Sequence, residues 1–442
     1  MLHAHRAVAA CLLLLASAQA FVPLSPARTQ LAAAAPPAAS RAFTSSNQHA
    51  VAERDAQGTV SMASRSAALA FSLPAALTSS FTRRAAIAVA ATTAVVLVVK
   101  ALLDKPSRPY DREANTVGNE YDAWCEDGIL EQVWGEHIHL GYYDTDERKR
   151  GSFRKDIIQA KYDFIDKMMQ WGGVNDMIRS GHAPKKVLDV GCGIGGTSRY
   201  LATKLGEGSE VVGITLSPKQ VERATQLARD RKIGNARFTV MDALAMEFPD
   251  DSFDLVWACE SGEHMPDKRL YVEEMTRVLK PGGRIVIATW CQRDDHERPF
   301  TPREERKLDF LYSEWTHPHF ISIQDYAKLM DGTGQLDNIS TADWTVQTIA
   351  SWRHTIWMGI KCPWIWIPRC GLRWALWWKT FKDAWCLERM SQAFSAGLME
   401  YGMMKAIKRK PKEAREAPAP AETAPRERDP PAFNPGPGPI QQ

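Results

Sequence analysis

The sequence predicts an α/β fold: a Rossmann-like, mostly parallel seven-stranded sheet with a helical cap. Three observations carry it. Between residues 183 and 292, short apolar runs alternate with amphipathic stretches of helical length, the pattern of βα units on a parallel sheet. The first run, Val187-Leu188-Asp189-Val190, passes straight into Gly191-Cys192-Gly193-Ile194-Gly195-Gly196 and then into helical sequence. Glycines there let a ligand approach the backbone at the strand end. Beyond residue 292 the alternation loosens, and residues 344–385 hold nine of the fifteen tryptophans, so the last strands must be separated by a helical insertion.

The elements follow in order. A helix over 157–171 leads into strand 186–190, helix 195–205, strand 210–214, helix 217–231 and strand 237–241. Strand 253–258, helix 267–279 and a fifth strand, 284–289, come next, the last after the turn Lys280-Pro281-Gly282-Gly283. Helices near 303–314 and 322–330 precede a sixth strand near 339–346 and a seventh near 402–406. The spacing therefore divides the chain into an N-terminal helical and aromatic region (104–182), a ligand-binding core (183–292), and a C-terminal part of the sheet with a tryptophan-rich cap (293–409). Residues 410–442, rich in Pro, Ala, Glu and Arg, are expected to be disordered. The loop 104–112, with Pro106 and Pro109, precedes the folded body, whose periodic sequence begins near Tyr121.

Targeting sequence comes before all of this. Residues 1–20 have a basic start, an apolar stretch and Ala18-Gln19-Ala20, the anatomy of a signal peptide. Residues 21–82 are rich in Ala and Ser, with Arg28, Arg41, Arg54 and Arg65 and few acids, as in a transit peptide. Together they resemble the bipartite presequences of algal plastids; a secreted protein with a disordered linker is the alternative. After Arg83-Arg84, residues 85–99 carry no charge. As a helix they reach about 22 Å, short of a ~30 Å hydrocarbon core unless Lys100 snorkels. Segment 83–103 therefore reads as a membrane anchor, a removable thylakoid-type signal, or more transit peptide.

A net charge of +3 gives no reason to expect a nucleic-acid partner. The eight cysteines form no Cys-x-x-Cys pair, which argues for free thiols and against structural zinc. No metal-ligand cluster is evident; His137 and His139 alternate without a third ligand.

The glycine run also satisfies Gly-x-Gly-x-x-Gly, so a dinucleotide must be weighed. Asp189, just before it, suits the amino group of a methionine moiety and would repel a pyrophosphate. Asp242-Ala243, after the third strand, is placed to accept from an adenine amino group. With Gly191, Gly193 and Gly195 these define an S-adenosylmethionine site. The second strand ends Thr215-Leu216-Ser217 without the acid expected for a ribose. Either Ser217 only caps the next helix, or the ribose is held by backbone at Thr215 and Leu216.

Tyr121-Asp122-x-Trp124, Trp134-Gly135-Glu136-His137-Ile138-His139-Leu140-Gly141 and Glu260-Ser261-Gly262-Glu263-His264-Met265-Pro266 resemble the tocopherol-pathway methyltransferases, class I enzymes dependent on S-adenosyl-L-methionine. Trp315-Thr316-His317-Pro318 and Thr341-Ala342-Asp343-Trp344-Thr345-Val346 are more similar to the cyanobacterial-type 2-methyl-6-phytyl-1,4-benzoquinol branch than to γ-tocopherol methyltransferase. The resemblance covers about 121–408. It implies C-methylation of a prenylated benzoquinol ring in tocopherol and plastoquinone biosynthesis, in a plastid, at the inner envelope or thylakoid membrane. γ-Tocopherol methylation is the alternative, with sterol or other small-molecule methylation behind it.

A ring carbon becomes a good nucleophile when a phenolic proton is lost or shared. His264 and Glu263, beyond the fourth strand, are candidates for that base, although both can instead cap the following helix; Glu260 is placed near the cofactor. Tyr121, Trp124 and Trp134 can fold over the cofactor, where an aromatic face attracts the sulfonium. Trp290, His137 and His139 are candidates for contact with substrate. Basic residues interleave with the tryptophans of 344–385, which suits a membrane interface better than a plain core helix pair.

Overall fold

The computed structural model describes residues 80–296 and 298–410. The expected signal peptide, the transit-like segment up to residue 79, the tail beyond Lys410 and Cys11 lie outside the described residues.

Before the sheet come α1 (Ser80–Leu103), α2 (Thr116–Asp127), α3 (Ile129–Trp134), α4 (Thr145–Arg150), α5 (Ile157–Trp171) and α6 (Val174–Arg179). Then follow β1 (Lys186–Val190), α7 (Gly196–Leu205), β2 (Glu210–Thr215), α8 (Pro218–Asp230), β3 (Ala236–Val240), β4 (Phe253–Cys259), α9 (Lys268–Val278) and β5 (Leu279–Gln292). The chain continues as α10 (Pro302–Glu314), α11 (Ile323–Gly332), β6 (Leu336–Asp343), α12 (Thr345–Thr348), α13 (Ala350–Lys361), α14 (Pro363–Cys370), α15 (Trp374–Ser395) and β7 (Met399–Lys408). The sheet order is β3-β2-β1-β4-β5-β7-β6. β1 to β5 run parallel, and β7 is antiparallel to both β5 and β6.

Period-two alternation splits each central strand between two cores. Val187, Leu255, Trp257 and Val286 face one side, with Phe164 and Met168 of α5 and Tyr401. Leu188, Val256, Ile285 and Ile287 face the other, with Tyr271 and Met275 of α9. α5 falls where its apolar spacing puts it, and Asp156 caps it by accepting from the Gln159 amide at 2.9 Å.

The last strands differ from expectation. β6 lies about three residues earlier, because the Asp343 carboxylate accepts from the Thr345 amide at 2.8 Å and the chain turns at Trp344 into α12. β7 is longer, pairing with β5 from Arg284↔Ile407 to Gln292↔Met399. The expected turn at 280–283 is absorbed into β5 as a register shift, with Phe253 opposite Leu279 but Leu255 opposite Arg284.

The body also begins earlier than Tyr121. Segment 104–112 is strapped to α10 and α15. Glu314, fully buried, accepts from Arg108 Nη2 at 3.0 Å, Lys382 Nζ at 3.0 Å and the Ser107 amide at 3.0 Å. Arg108 also pairs with Glu120 and Asp383, while Asp104 pairs with Arg389 and accepts from the Trp385 indole. α1 has 24 residues, about 36 Å of helix. It outruns the uncharged stretch because Lys100 pairs with Asp104 one turn later. Its span Arg83–Leu103 is long and apolar enough to cross a membrane by length and composition, and Ile87, Val89, Val95 and Leu97 are exposed.

The tryptophan-rich cap has two faces. Trp352 is fully buried in the core, whereas Trp364, Leu372, Trp374 and Trp378 are exposed. Its basic residues are less outward-facing than their interleaving implies. Lys382 is buried on Glu314, Lys379 lies among Glu120, Asp127 and Asp383, and Arg353 pairs with Glu388; Lys361 and Arg373 remain exposed beside the outer tryptophans.

Candidate active site

A cavity of about 310 Å³ opens at the C-terminal ends of β1, β2 and β4, within the range of small-molecule sites of roughly 300–1,000 Å³. The glycine loop forms its floor. Gly191 has φ +82°, and a Cβ there would come within 2.3 Å of the Ser261 Cβ. Gly193, at φ +55°, meets nothing closer than 3.7 Å and faces the open space. Gly195 does not line the cavity; it precedes α7 and packs against Phe238 and Ala224.

Carboxylates stand around the space. Asp189 is 2% exposed and its Oδ2 accepts from Ser198 Oγ at 2.6 Å; burial raises its pKa to about 6. Asp242 and Ala243 line the other side. Asp242 Oδ1 accepts from the Leu244 amide at 2.8 Å, and Oδ2 lies 3.2 Å from Arg112. At the end of β2, Thr215 and Leu216 line the wall, and Thr215 Oγ1 donates to Gln220 Oε1 at 2.7 Å. Ser217 does cap α8, accepting from the Gln220 amide at 3.0 Å, with Pro218 in the first turn.

Glu260 follows β4 in a left-handed conformation (φ +52°), rare for a residue with a side chain. Its Oε1 accepts from the Leu140 amide at 2.7 Å and the Tyr401 hydroxyl at 2.6 Å. Burial, then the charge of Glu263, pushes its pKa to about 8. Glu263 is buried and turned from the cavity, accepting from the Trp290 amide at 2.7 Å, with its pKa raised by burial to about 7. His264 lines the cavity; its Nε2 lies 2.9 Å from the Tyr121 hydroxyl, and burial lowers its pKa to about 4, leaving a neutral ring.

Of the other predicted residues, Tyr121 and His139 reach the cavity. Trp124 stands behind Tyr121, with ring centroids 5.1 Å apart. Trp134 supports His139, its indole donating to the His139 carbonyl at 3.2 Å and its ring lying under Lys161. His137 is buried edge-on against Tyr162, and Trp290 packs with Trp315 and Trp352. Sequence reasoning missed the roof: Tyr110, Asp111 and Arg112 line the cavity from the strap, as do Asn115 at the start of α2 and Gln220 from α8. The Ser217-x-x-Gln220 capping spacing was a signal for Gln220; none existed for the strap, which long-range ion pairs hold. Among the described residues, Asp294, Asp295 and His296 could share a cation, but they do not line this cavity.

A family model described as a methyltransferase domain matches residues 182–334. The 2-methyl-6-phytyl-1,4-hydroquinone methyltransferase of Synechocystis is 44% identical over 304 residues, spanning 69% of this chain and 91% of that protein. The chain belongs to the tocopherol-pathway methyltransferases. The Arabidopsis thaliana tocopherol O-methyltransferase, a chloroplastic protein, is 38% identical over 285 residues, 63% of this chain and 78% of its own. Among solved structures, a candidate sarcosine dimethylglycine methyltransferase from Galdieria sulphuraria shares the fold, with a TM-score of 0.53, 22% identity, and coverage of 64% and 98%. This methyltransferase therefore uses S-adenosyl-L-methionine. The site fits that group: Asp189 and Asp242 line one cavity, and Gly193 leaves room between them.

Proposed function

We propose that this methyltransferase transfers a methyl group to a ring carbon of a prenylated 1,4-benzoquinol, 2-methyl-6-phytyl- or 2-methyl-6-solanesyl-1,4-benzoquinol, on the route to tocopherols and plastoquinone. The observation that carries the reading is the likeness to the Synechocystis enzyme along nearly that enzyme's whole length. Methylation of γ-tocopherol is the second reading, favoured by the Arabidopsis relative.

Asp189 is assigned to the amino group of the cofactor, Gly191 and Gly193 to its close approach, Thr215 and Leu216 to the ribose, and Asp242 with Ala243 to the adenine. Bound S-adenosylmethionine supplies an electrophilic methyl carbon. Glu260, with its Oε1 engaged by Leu140 and Tyr401, fixes the wall beside it. His264, neutral and facing the cavity, serves the acceptor side, and Tyr121 orients it through the 2.9 Å contact. Glu263 acts only through the β5 backbone it binds.

The enzyme is placed in the plastid, reached by the bipartite presequence, at the inner envelope or thylakoid membrane. α1 is the anchor. The outer face of α14 and α15, with Trp364, Leu372, Trp374 and exposed Lys361 and Arg373, rests on the lipid surface where a phytyl chain would enter. The test incubates the full-length protein in lipid nanodiscs with methyl-labelled cofactor and, separately, each quinol and γ-tocopherol. Label on a benzoquinol is expected; label on γ-tocopherol alone overturns the substrate assignment.

A further inference from the structure

Glu260 offers the cavity a carboxylate oxygen that the protein leaves free. Its Oε1 is fixed by the Leu140 amide at 2.7 Å and the Tyr401 hydroxyl at 2.6 Å, while among the described residues no hydrogen bond or ion pair reaches Oε2. The residue is partly exposed and lines the cofactor cavity, so Oε2 opens onto that space. Oε2 of Glu263, by contrast, is sealed among protein atoms. A left-handed φ of +52° holds Glu260 at this place; such a conformation costs folding free energy and persists where the surroundings enforce it.

The other proton-binding groups of the cavity are engaged elsewhere. Asp189 accepts from Ser198 and is assigned to the cofactor's amino group, and Asp242 accepts from the Leu244 amide and pairs with Arg112. Glu136 pairs with Arg199 and Arg231, and Asp111 accepts from the Ala114 amide on the exposed strap. His264 has its Nε2 beside the Tyr121 hydroxyl, and burial puts its pKa at about 4 and that of His139 at about 3, too low to keep the proton of a phenol. Burial, then Glu263, sets Glu260 at about 8, near the pH at which a proton acceptor works best. The titratable neighbours of Glu260 are Glu263, Lys161 of α5, Tyr401 of β7, Tyr121 of α2 and Cys259 of β4. Burial keeps both tyrosines and the thiol protonated and depresses Lys161, whose Nζ donates to the Trp134 carbonyl. Glu263 is turned away onto the Trp290 amide.

We propose that Oε2 of Glu260 is the acid–base group of the reaction: it ionises opposite the sulfonium and then takes the proton of the acceptor's ring hydroxyl. The second half rests on the quinol reading above. The sulfonium joins the parts of the cofactor assigned to Asp189 and Asp242, so its positive charge enters the space that Oε2 faces. In a water-poor cavity that charge favours the carboxylate, and Glu260 loses its proton to solvent as the cation enters. When a ring carbon bonds the methyl carbon, the S–CH₃ bond breaks with its electron pair left on sulfur, and the hydroxyl proton passes to Oε2. S-adenosylhomocysteine and a neutral dienone result. With the positive charge gone, Glu260 holds the proton, then returns it to the ring oxygen as the C–H proton of the methylated carbon leaves to solvent. Glu260 regains a solvent proton in the cation-free site, so the cycle releases one proton net.

The test uses the full-length enzyme in lipid nanodiscs. Isothermal titration in two buffers of different ionisation enthalpy counts protons. At pH 7, S-adenosylmethionine should release most of one proton more than S-adenosylhomocysteine does. Its affinity relative to S-adenosylhomocysteine should rise by up to about tenfold per pH unit from pH 6 toward 8 and level off above. Glu260→Gln keeps the side-chain shape and an oxygen for Leu140 and Tyr401. It should abolish the difference in proton release and weaken S-adenosylmethionine by about tenfold or more at pH 8, with S-adenosylhomocysteine unchanged within twofold. Its kcat on anaerobic 2-methyl-6-phytyl-1,4-benzoquinol should fall by about 100-fold or more, the scale of a lost general base. If Glu260→Gln does not fold, Tyr401→Phe carries the test: it removes a donor that favours the carboxylate, so the rise in relative affinity should move to higher pH. Equal proton release by the two ligands, equal loss of both affinities in Glu260→Gln, wild-type kcat in that variant, or an unmoved profile in Tyr401→Phe overturns the proposal. Proton release without methylation of any quinol supports the ionisation of Glu260 and overturns the quinol reading.

Discussion

Glu314→Gln tests whether the strap is held by one buried carboxylate. Glu314 is fully buried and faces Lys382, which is 3% exposed, and Arg108, which reaches it through Nε and Nη2. Neutralising it leaves Lys382 with the Lys105 carbonyl as its remaining partner. Arg108 still has Glu120 and Asp383. Breaking a buried pair on one side costs roughly 3–5 kcal/mol. At about 2–4 °C per kcal/mol for a domain of this order of size, that lowers Tm by roughly 6–20 °C. The strap roofs the cofactor cavity through Tyr110, Asp111 and Arg112, so S-adenosylhomocysteine affinity should fall too. Scanning calorimetry and isothermal titration on the nanodisc-bound protein measure both. The double variant Glu314→Leu with Lys382→Met, which removes charges of both signs, should recover much of the Tm. A Tm within 2 °C of wild type for Glu314→Gln would refute the reasoning, because a fully buried anion cannot be both central to the strap and dispensable.

The remaining expectations are shorter. Gly191→Ala puts a methyl 2.3 Å from Ser261 Cβ at φ +82°, so cofactor binding should be lost, as titration calorimetry would register. Glu260 has its pKa raised to about 8 in the fold. A raised carboxyl pKa contributes stability that is fully present below the unfolded value near 4.3 and is lost as pH rises through about 8. Glu260→Gln should therefore flatten the fall of Tm between pH 6 and 9, and coincident slopes for variant and wild type would contradict the assignment. Trp364→Ser with Trp374→Ser should weaken binding to anionic vesicles by at least tenfold in a chain lacking residues 1–103, with little change in Tm, since both side chains are exposed; flotation assays read the difference.

The core was legible because its signals are local. Val187 to Gly196 announces strand, turn and helix within ten residues, and each of Asp189, Gly191 and Gly193 stands where the cavity needs it. Asp242 was legible for the same reason, as the residue that follows β3 by two positions. Of the cap's basic residues, Lys379 and Lys382 were misread, because interleaving with tryptophan does not say which way a helix faces. Lys382 looked like a lipid-facing cation until α15 turned it onto Glu314, sixty-eight residues away.

The sequence by itself determined the sheet, the glycine loop, the cofactor class and the apolar helix, since period-two and period-3.6 patterns and close-approach glycines are properties of neighbouring residues. Only the tertiary structure decided that the strap roofs the cavity, that Glu263 turns from it toward Trp290, and that His317 stands behind His264. Those facts depend on contacts between segments far apart in the chain, such as Ser107 with Glu314 and His264 with His317. No local pattern encodes them, because the free energy that fixes them is released only when the distant surfaces meet.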